Sequence, residues 1–102
     1  MSCAPVSDAD ADGVIVRDLP IVNQRGLHAR ASAKFVQVAA KYEACVEVEK
    51  DGVKVGGTSI MGLMMLAASP GCSVRVTARG PDAAKFMSEI EELVATRFGE
   101  EF

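Results

Sequence analysis

The sequence predicts an α+β domain, an open-faced sandwich in which helices cover one face of a largely antiparallel sheet and water covers the other. Three observations predict it. Apolar residues alternate at period two in 44–50 and 73–78, the pattern of half-buried strands. Helical spacing occupies 28–42 and 83–94, so helices alternate with strands along the chain. Asp51-Gly52 separates two strand-like stretches as a two-residue type I′ hairpin turn, which makes that strand pair antiparallel.

Each element has a local reason. Val14, Ile15, Val16, Leu19 and Ile21 read as a first strand, and Pro20, which cannot donate to a ladder, places it at a sheet edge. Asn23 to Leu27 is a turn, with Gly26 able to take positive φ. In the alanine-rich helix from His28 to Tyr42, Ser32, Phe35, Val36 and Ala39 share one face. Val46 and Val48 alternate with Glu47 and Glu49 in a second strand, and Val53 to Val55 returns as a third, broken by Gly56-Gly57. Thr58-Ser59 caps a short helix running to Ala68, stopped by Pro70-Gly71. Val74, Val76 and Ala78 form one side of a fourth strand. Asp82 is the predicted N-cap of a last helix with the stripe Ala83, Phe86, Met87, Ile90, Leu93 and Val94. The order is β-α-β-β-α-β-α. Spacing alone leaves the strand order open.

Composition narrows the function. A chain of 102 residues suits one domain that buries roughly 65% of its unfolded surface. Residues 1–12, polar and acidic, read as a mobile tail before a single domain over 13–102. With 49% hydrophobic residues the chain is too apolar for disorder. No apolar run approaches the ~18–20 residues of a membrane span, and Met1 to Pro5 has neither the basic nor the apolar region of a secretory signal. A net charge of −3, no basic cluster and only four Phe and one Tyr argue against nucleic acid as partner. Cys3, Cys45 and Cys72 are odd in number and lack C-x-x-C spacing, so neither a disulfide framework nor a metal site is expected. Cys45 and Cys72 read as buried free thiols, which fits a reducing, cytoplasmic compartment. No cofactor is implied, and an enzyme with a deep cleft is not expected at this size.

The chemistry concentrates at Gly26-Leu27-His28-Ala29-Arg30. His28, the sole histidine, stands where turn becomes helix. The first amides of a helix lack intrahelical partners, and its dipole adds about half a positive charge there, so an anion such as phosphate is favoured. Ala29 leaves the approach open, and Arg30 supplies a forked cation that matches phosphate oxygens. The same positive end disfavours charging the ring, and a neutral imidazole is a nucleophile. No second catalytic acid or base accompanies His28, so a true enzyme is not expected.

This stretch closely resembles the active-site motif of HPr, the histidine-containing phosphocarrier family of the bacterial phosphoenolpyruvate phosphotransferase system. A second stretch, Thr58-Ser59-Ile60-Met61-Gly62-Leu63-Met64-Met65-Leu66, is similar to the family's regulatory-serine helix, and the element order agrees. The resemblance runs from about Gly13 to Phe98. It implies an HPr-like four-stranded antiparallel sheet, order 1-4-2-3, with three helices on one face, and a monomer. It implies that enzyme I, charged by phosphoenolpyruvate, phosphorylates Nδ1 of His28, which passes the group to a histidine on a IIA-type protein, with Arg30 holding phosphate oxygens. The service is sugar uptake or nitrogen-type regulation; the methionine-rich helix and the Gly80-Pro81-Asp82 start are more similar to the nitrogen-type branch. One departure is Ala31, where the family motif has proline. Proline suits an early helical position, and alanine there keeps the helix with a looser first turn.

Ser59 is an N-cap by its position; the resemblance adds a regulatory serine, which a kinase phosphorylates, and a phosphorylase would restore, in some members. If Leu63, Leu66 and Ala67 face the core, Ile60, Met61 and Met64 point outward, an apolar patch that suggests a contact surface. By resemblance these three join Ala29, Arg30 and Ala33 in one face for donor and acceptor. The competing expectation is a regulatory module of the same fold that docks partners without relaying phosphate.

Overall fold

The computed structural model describes residues 14–100; the acidic-tail reading of 1–12 lies outside them. The elements are β1 (Val14–Pro20), α1 (Ala29–Lys41), β2 (Cys45–Lys50), β3 (Val53–Gly56), α2 (Ile60–Met65), β4 (Ser73–Arg79) and α3 (Ala83–Ala95), followed by a 3-10 turn at Arg97–Gly99. The order is the predicted β-α-β-β-α-β-α. All three strand pairings are antiparallel, in the spatial order β1-β4-β2-β3. The Pro20 strand is therefore an edge, as its missing donor required.

Alternation sorts the two faces. Val46 and Val48 of β2 and Val74, Val76 and Ala78 of β4 are buried in one cluster with Phe35, Val38 and Ala39 of α1 and Phe86, Met87, Ile90 and Val94 of α3. Phe35 and Phe86 meet edge to face with ring centroids 6.0 Å apart, a geometry that adds about 0.5–1.5 kcal/mol to their area burial. Arg17 explains why β1 alternates only partly. Its Cα pairs with that of buried Val76, on the helix side, and at the edge its guanidinium reaches Glu91 of α3 at 3.5 Å. On the open face, register sets Asp18 beside Arg75, Arg75 beside Glu49 and Glu49 beside Lys54, a row of alternating charge. Asp18 and Arg75 pair at 3.1 Å. At the β2–β3 hairpin Asp51 and Gly52 both have positive φ (52° and 82°), as the type I′ turn demands.

The end of α1 is tied to α3 through Glu89, which accepts from Lys41 Nζ at 2.6 Å and from the Tyr42 hydroxyl at 2.5 Å. These hydrogen bonds, Lys41 first and Tyr42 second, hold the Glu89 carboxyl below the usual carboxylate range.

Four local expectations need correction. Helix α2 stops at Met65 rather than Ala68, and Ala67 is exposed with φ of 52°, so it does not face the core. Asp82 stands at the N-cap of α3 but makes no cap bond; its carboxylate accepts from the Glu43 amide at 2.9 Å instead. Cys45 and Cys72 are half-buried rather than buried. Cys45 is disulfide-bonded, which withdraws the thiol argument for a reducing compartment; Cys72 is free. No helix among the described residues is long and apolar enough to cross a membrane.

Candidate functional site

His28 is the N-cap of α1 rather than its first helical residue. Its backbone is extended (φ −76°, ψ −178°), and its Nδ1 accepts from the Arg30 amide at 3.3 Å. Imidazole is an uncommon cap, and here it places the ring nitrogen itself among the opening amides. The approach to His28 is set by Gly26, whose φ is +63°. A Cβ there would lie 2.1 Å from the Ala68 carbonyl oxygen, so only glycine lets the loop come this close. The adjacent Leu27 amide donates to the same oxygen at 3.0 Å. That bond stitches the histidine loop to the chain leaving α2, and so brings the second motif beside the first. Behind the loop, Ser32 Oγ donates to the Leu27 carbonyl at 3.2 Å, and the wholly buried Asn23 donates to the Gly26 carbonyl at 2.9 Å.

The residues singled out from sequence fall as follows. Ala29 and Arg30 are exposed on the first turn of α1, and Ala33 is half-buried one turn on. Ser59 is exposed and caps α2, its Oγ accepting from the Gly62 amide at 3.0 Å. Leu63 and Leu66 are buried, while Ile60, Met61 and Met64 are exposed. Met65 was missed as part of this patch, yet it is the most exposed of them at 75%. The available signal was the adjacency of Met64 and Met65, since a short helix anchored by Leu63 and Leu66 cannot bury two consecutive methionines.

Sequence reading also missed a carboxylate. After α3, Arg97, Phe98 and Gly99 all take positive φ (59°, 55° and 77°) and turn the chain back toward α1. Phe98 is fully buried, and its carbonyl accepts from Lys34 Nζ at 2.5 Å. This hook delivers Glu100 to the site: one carboxylate oxygen accepts from Asn23 Nδ2 at 3.0 Å, and the other is hydrogen-bonded to His28 Nε2. Burial pushes the Glu100 carboxyl up, but the hydrogen bonds from Asn23 and His28 and the nearby Arg25 charge outweigh it, holding the group below the usual range. A carboxylate thus does stand beside His28, which corrects the expectation that no second acid or base accompanies it. The two ring contacts also assign a tautomer. Nδ1, which accepts an N–H, carries the lone pair, so Nε2 carries the proton and donates to Glu100.

What this arrangement can do is present a nucleophilic Nδ1, 23% of the His28 side chain being exposed, to a group arriving at a helix N-terminus. An apolar groove lined by Ala39, Tyr42, Val46 and Val55 lies at the other end of α1, about 20 Å away by helix rise, and takes no part. Among the described residues no cluster of three or more His, Cys, Asp or Glu could hold a metal ion.

Residues 15–96 match the family model described as the PTS HPr component phosphorylation site. The chain is 45% identical over 87 residues to a phosphocarrier protein HPr of Cupriavidus necator, covering 85% of this chain and 98% of that one. It is 42% identical over 87 residues to one from Neisseria meningitidis, covering 85% and 98%. A crystal structure of HPr-C-His from Thermoanaerobacter tengcongensis superposes with a TM-score of 0.82 at 41% identity, covering 86% of this chain and 99% of that chain.

Proposed function

The chain belongs to the HPr family of phosphocarriers, not to the enzymes, and from that membership we propose that His28 takes a phosphoryl group on Nδ1 from phosphoenolpyruvate-charged enzyme I and hands it to a histidine of a IIA-type protein. The observation that carries this reading is Nδ1 capping α1 with its lone pair toward the opening amides. When Nδ1 is phosphorylated, the Arg30 amide exchanges a ring nitrogen for a phosphoryl oxygen. The amides of the first turn and the helix dipole then receive the incoming charge. The test is incubation with phosphoenolpyruvate and enzyme I, mapping of acid-labile phosphate, and then chase with IIA proteins of the sugar and nitrogen-type branches. One label on His28 that a IIA protein removes supports the relay and tells the branches apart. Stable binding without label would make the chain a docking module instead.

Arg30 is proposed as the phosphate-holding cation. Its guanidinium matters only when phosphate is present, and an exposed charge contributes about 0–1 kcal/mol to folding. Arg30→Ala is therefore expected to slow phosphoryl transfer tenfold or so, the loss of one charge-assisted hydrogen bond, with an unchanged melting temperature. Equal transfer rates in variant and parent would remove Arg30 from the site.

The proposed docking face joins Ala29, Arg30 and Ala33 to Ile60, Met61 and Met64, and the exposure of Met65 extends it. Its support is the Leu27–Ala68 stitch, which holds the end of α2 beside the histidine loop, together with the apolar side chains left in water there. Ser59, at the head of this patch, is the proposed regulatory position. In Ser59→Asp the new charge sits at an N-cap, where the dipole and amides accept it, so the helix holds or gains about 0.3–1 kcal/mol. Beside Ile60, Met61 and Met64, however, that charge must be desolvated when a partner docks. The expected outcome is an unchanged or higher melting temperature with weaker affinity for enzyme I. Unchanged affinity would leave Ser59 a cap alone.

A further inference from the structure

We propose that Glu100 is a positioning residue for phosphoryl transfer: its carboxylate keeps the proton on His28 Nε2, so that the lone pair stays on Nδ1, the nitrogen that takes the phosphoryl group, and it faces the positive charge that the ring gains on phosphorylation. This rests on the reading of His28 Nδ1 as the acceptor, and it assigns a role to a residue outside both sequence motifs.

Three observations carry it. Glu100 is bonded to the ring nitrogen opposite the attacking one, so it can orient the ring without obstructing the phosphoryl group. The carboxylate is itself oriented. Its second oxygen accepts from Asn23, which is wholly buried and whose Nδ2 also donates to the Gly26 carbonyl, so the histidine loop and the carboxylate share one anchor. The hook that delivers it holds two non-glycine residues, Arg97 and Phe98, in the left-handed region, a conformation that L side chains rarely adopt. Buried Phe98 and the Lys34–Phe98 hydrogen bond keep the hook in place.

In the transfer step the Nδ1 lone pair forms the new N–P bond, and the P–N bond on the donor breaks with its electron pair staying on the donor nitrogen. The proton stays on Nε2. The ring becomes cationic and faces the Glu100 carboxylate, and the charge disappears again when the group leaves for the acceptor. A carboxylate behind a nucleophilic or basic imidazole fixes tautomer and orientation in this way wherever the pair recurs.

The test uses the full chain labelled with 15N in the histidine ring. With the ring neutral, the parent is expected to show Nε2 protonated and Nδ1 bare. In Glu100→Ala the two nitrogens move toward a mixture of tautomers, and the transfer rate from phosphorylated enzyme I falls about tenfold. In Glu100→Gln the side-chain carbonyl still accepts from Nε2, so the tautomer is kept and part of the rate returns. Unchanged tautomer and rate in Glu100→Ala overturn the proposal, whatever the melting temperature does. A parent chain that takes no label at all overturns the relay and the catalytic half of the proposal. The tautomer shift in Glu100→Ala would still register in that case, so the two failures are distinguishable.

Discussion

Replacing His28 by asparagine is expected to abolish phosphoryl acceptance while leaving the fold as stable as the parent. His28 is at once the proposed nucleophile and the N-cap of α1, so the substitution has to separate the two roles. Alanine would not: it removes the cap bond to the Arg30 amide and costs about 1 kcal/mol of helix stability along with the nucleophile. Asparagine is among the strongest caps and has no nitrogen lone pair of comparable nucleophilicity. Incubation of His28→Asn with phosphoenolpyruvate and enzyme I should give no acid-labile label under conditions that load the parent with one phosphoryl group per chain. Urea unfolding midpoints of the two should agree. Label persisting in the variant would move the phosphorylation site elsewhere.

The largest stability effect is expected at Gly26. An alanine there must hold φ near +63°, at about 1–2 kcal/mol. Its Cβ would also stand 2.1 Å from the Ala68 carbonyl oxygen and 3.0 Å from Ala68 C and Ser69 Cα. These neighbours are all backbone, so relief requires the loop after α2 to move away, at the ~1–3 kcal/mol typical of overpacking. Gly26→Ala should therefore lose roughly 3 kcal/mol, a large part of the ~5–15 kcal/mol by which domains are stable. Gly52 provides the control. It also has positive φ, at 82°, but a Cβ there meets nothing within 4 Å, so Gly52→Ala should lose only the ~1–2 kcal/mol of backbone strain. Urea melts of the two variants measure the difference. Similar losses would mean that the approach to Ala68 is not tight in solution.

Most of the scaffold was legible because single residues carried decisive chemistry. Val74, Val76 and Ala78 announce a strand with one buried side, and all three are buried. Pro20 demanded an edge, and the order β1-β4-β2-β3 supplies one. His28 stood out because one imidazole followed a glycine turn at a helix start. What stayed hidden depends on contacts that spacing does not encode. Glu100 meets His28 across 72 residues, and the hook that brings it there uses left-handed Arg97 and Phe98, residue types that give no local warning of that conformation. Ala67, also left-handed, shortened α2 in the same silent way. Asp82 read as a cap because its position allowed it, while its carboxylate found a tertiary partner at Glu43.

The sheet order also bears on how the chain is made. β1 precedes the other strands in the chain, yet among the described residues its one strand partner is β4: Pro20 pairs with Ser73 and Val14 with Arg79, more than fifty residues later. At ~5–20 residues per second on the ribosome, β1 waits roughly 3–10 s before its partner exists. During that interval its ladder groups are open to any passing strand. Arg17, Asp18 and Pro20 are the residue types that discourage such pairing. The proline and charges that mark β1 as an edge in the finished sheet thus also guard it while the sheet is still incomplete.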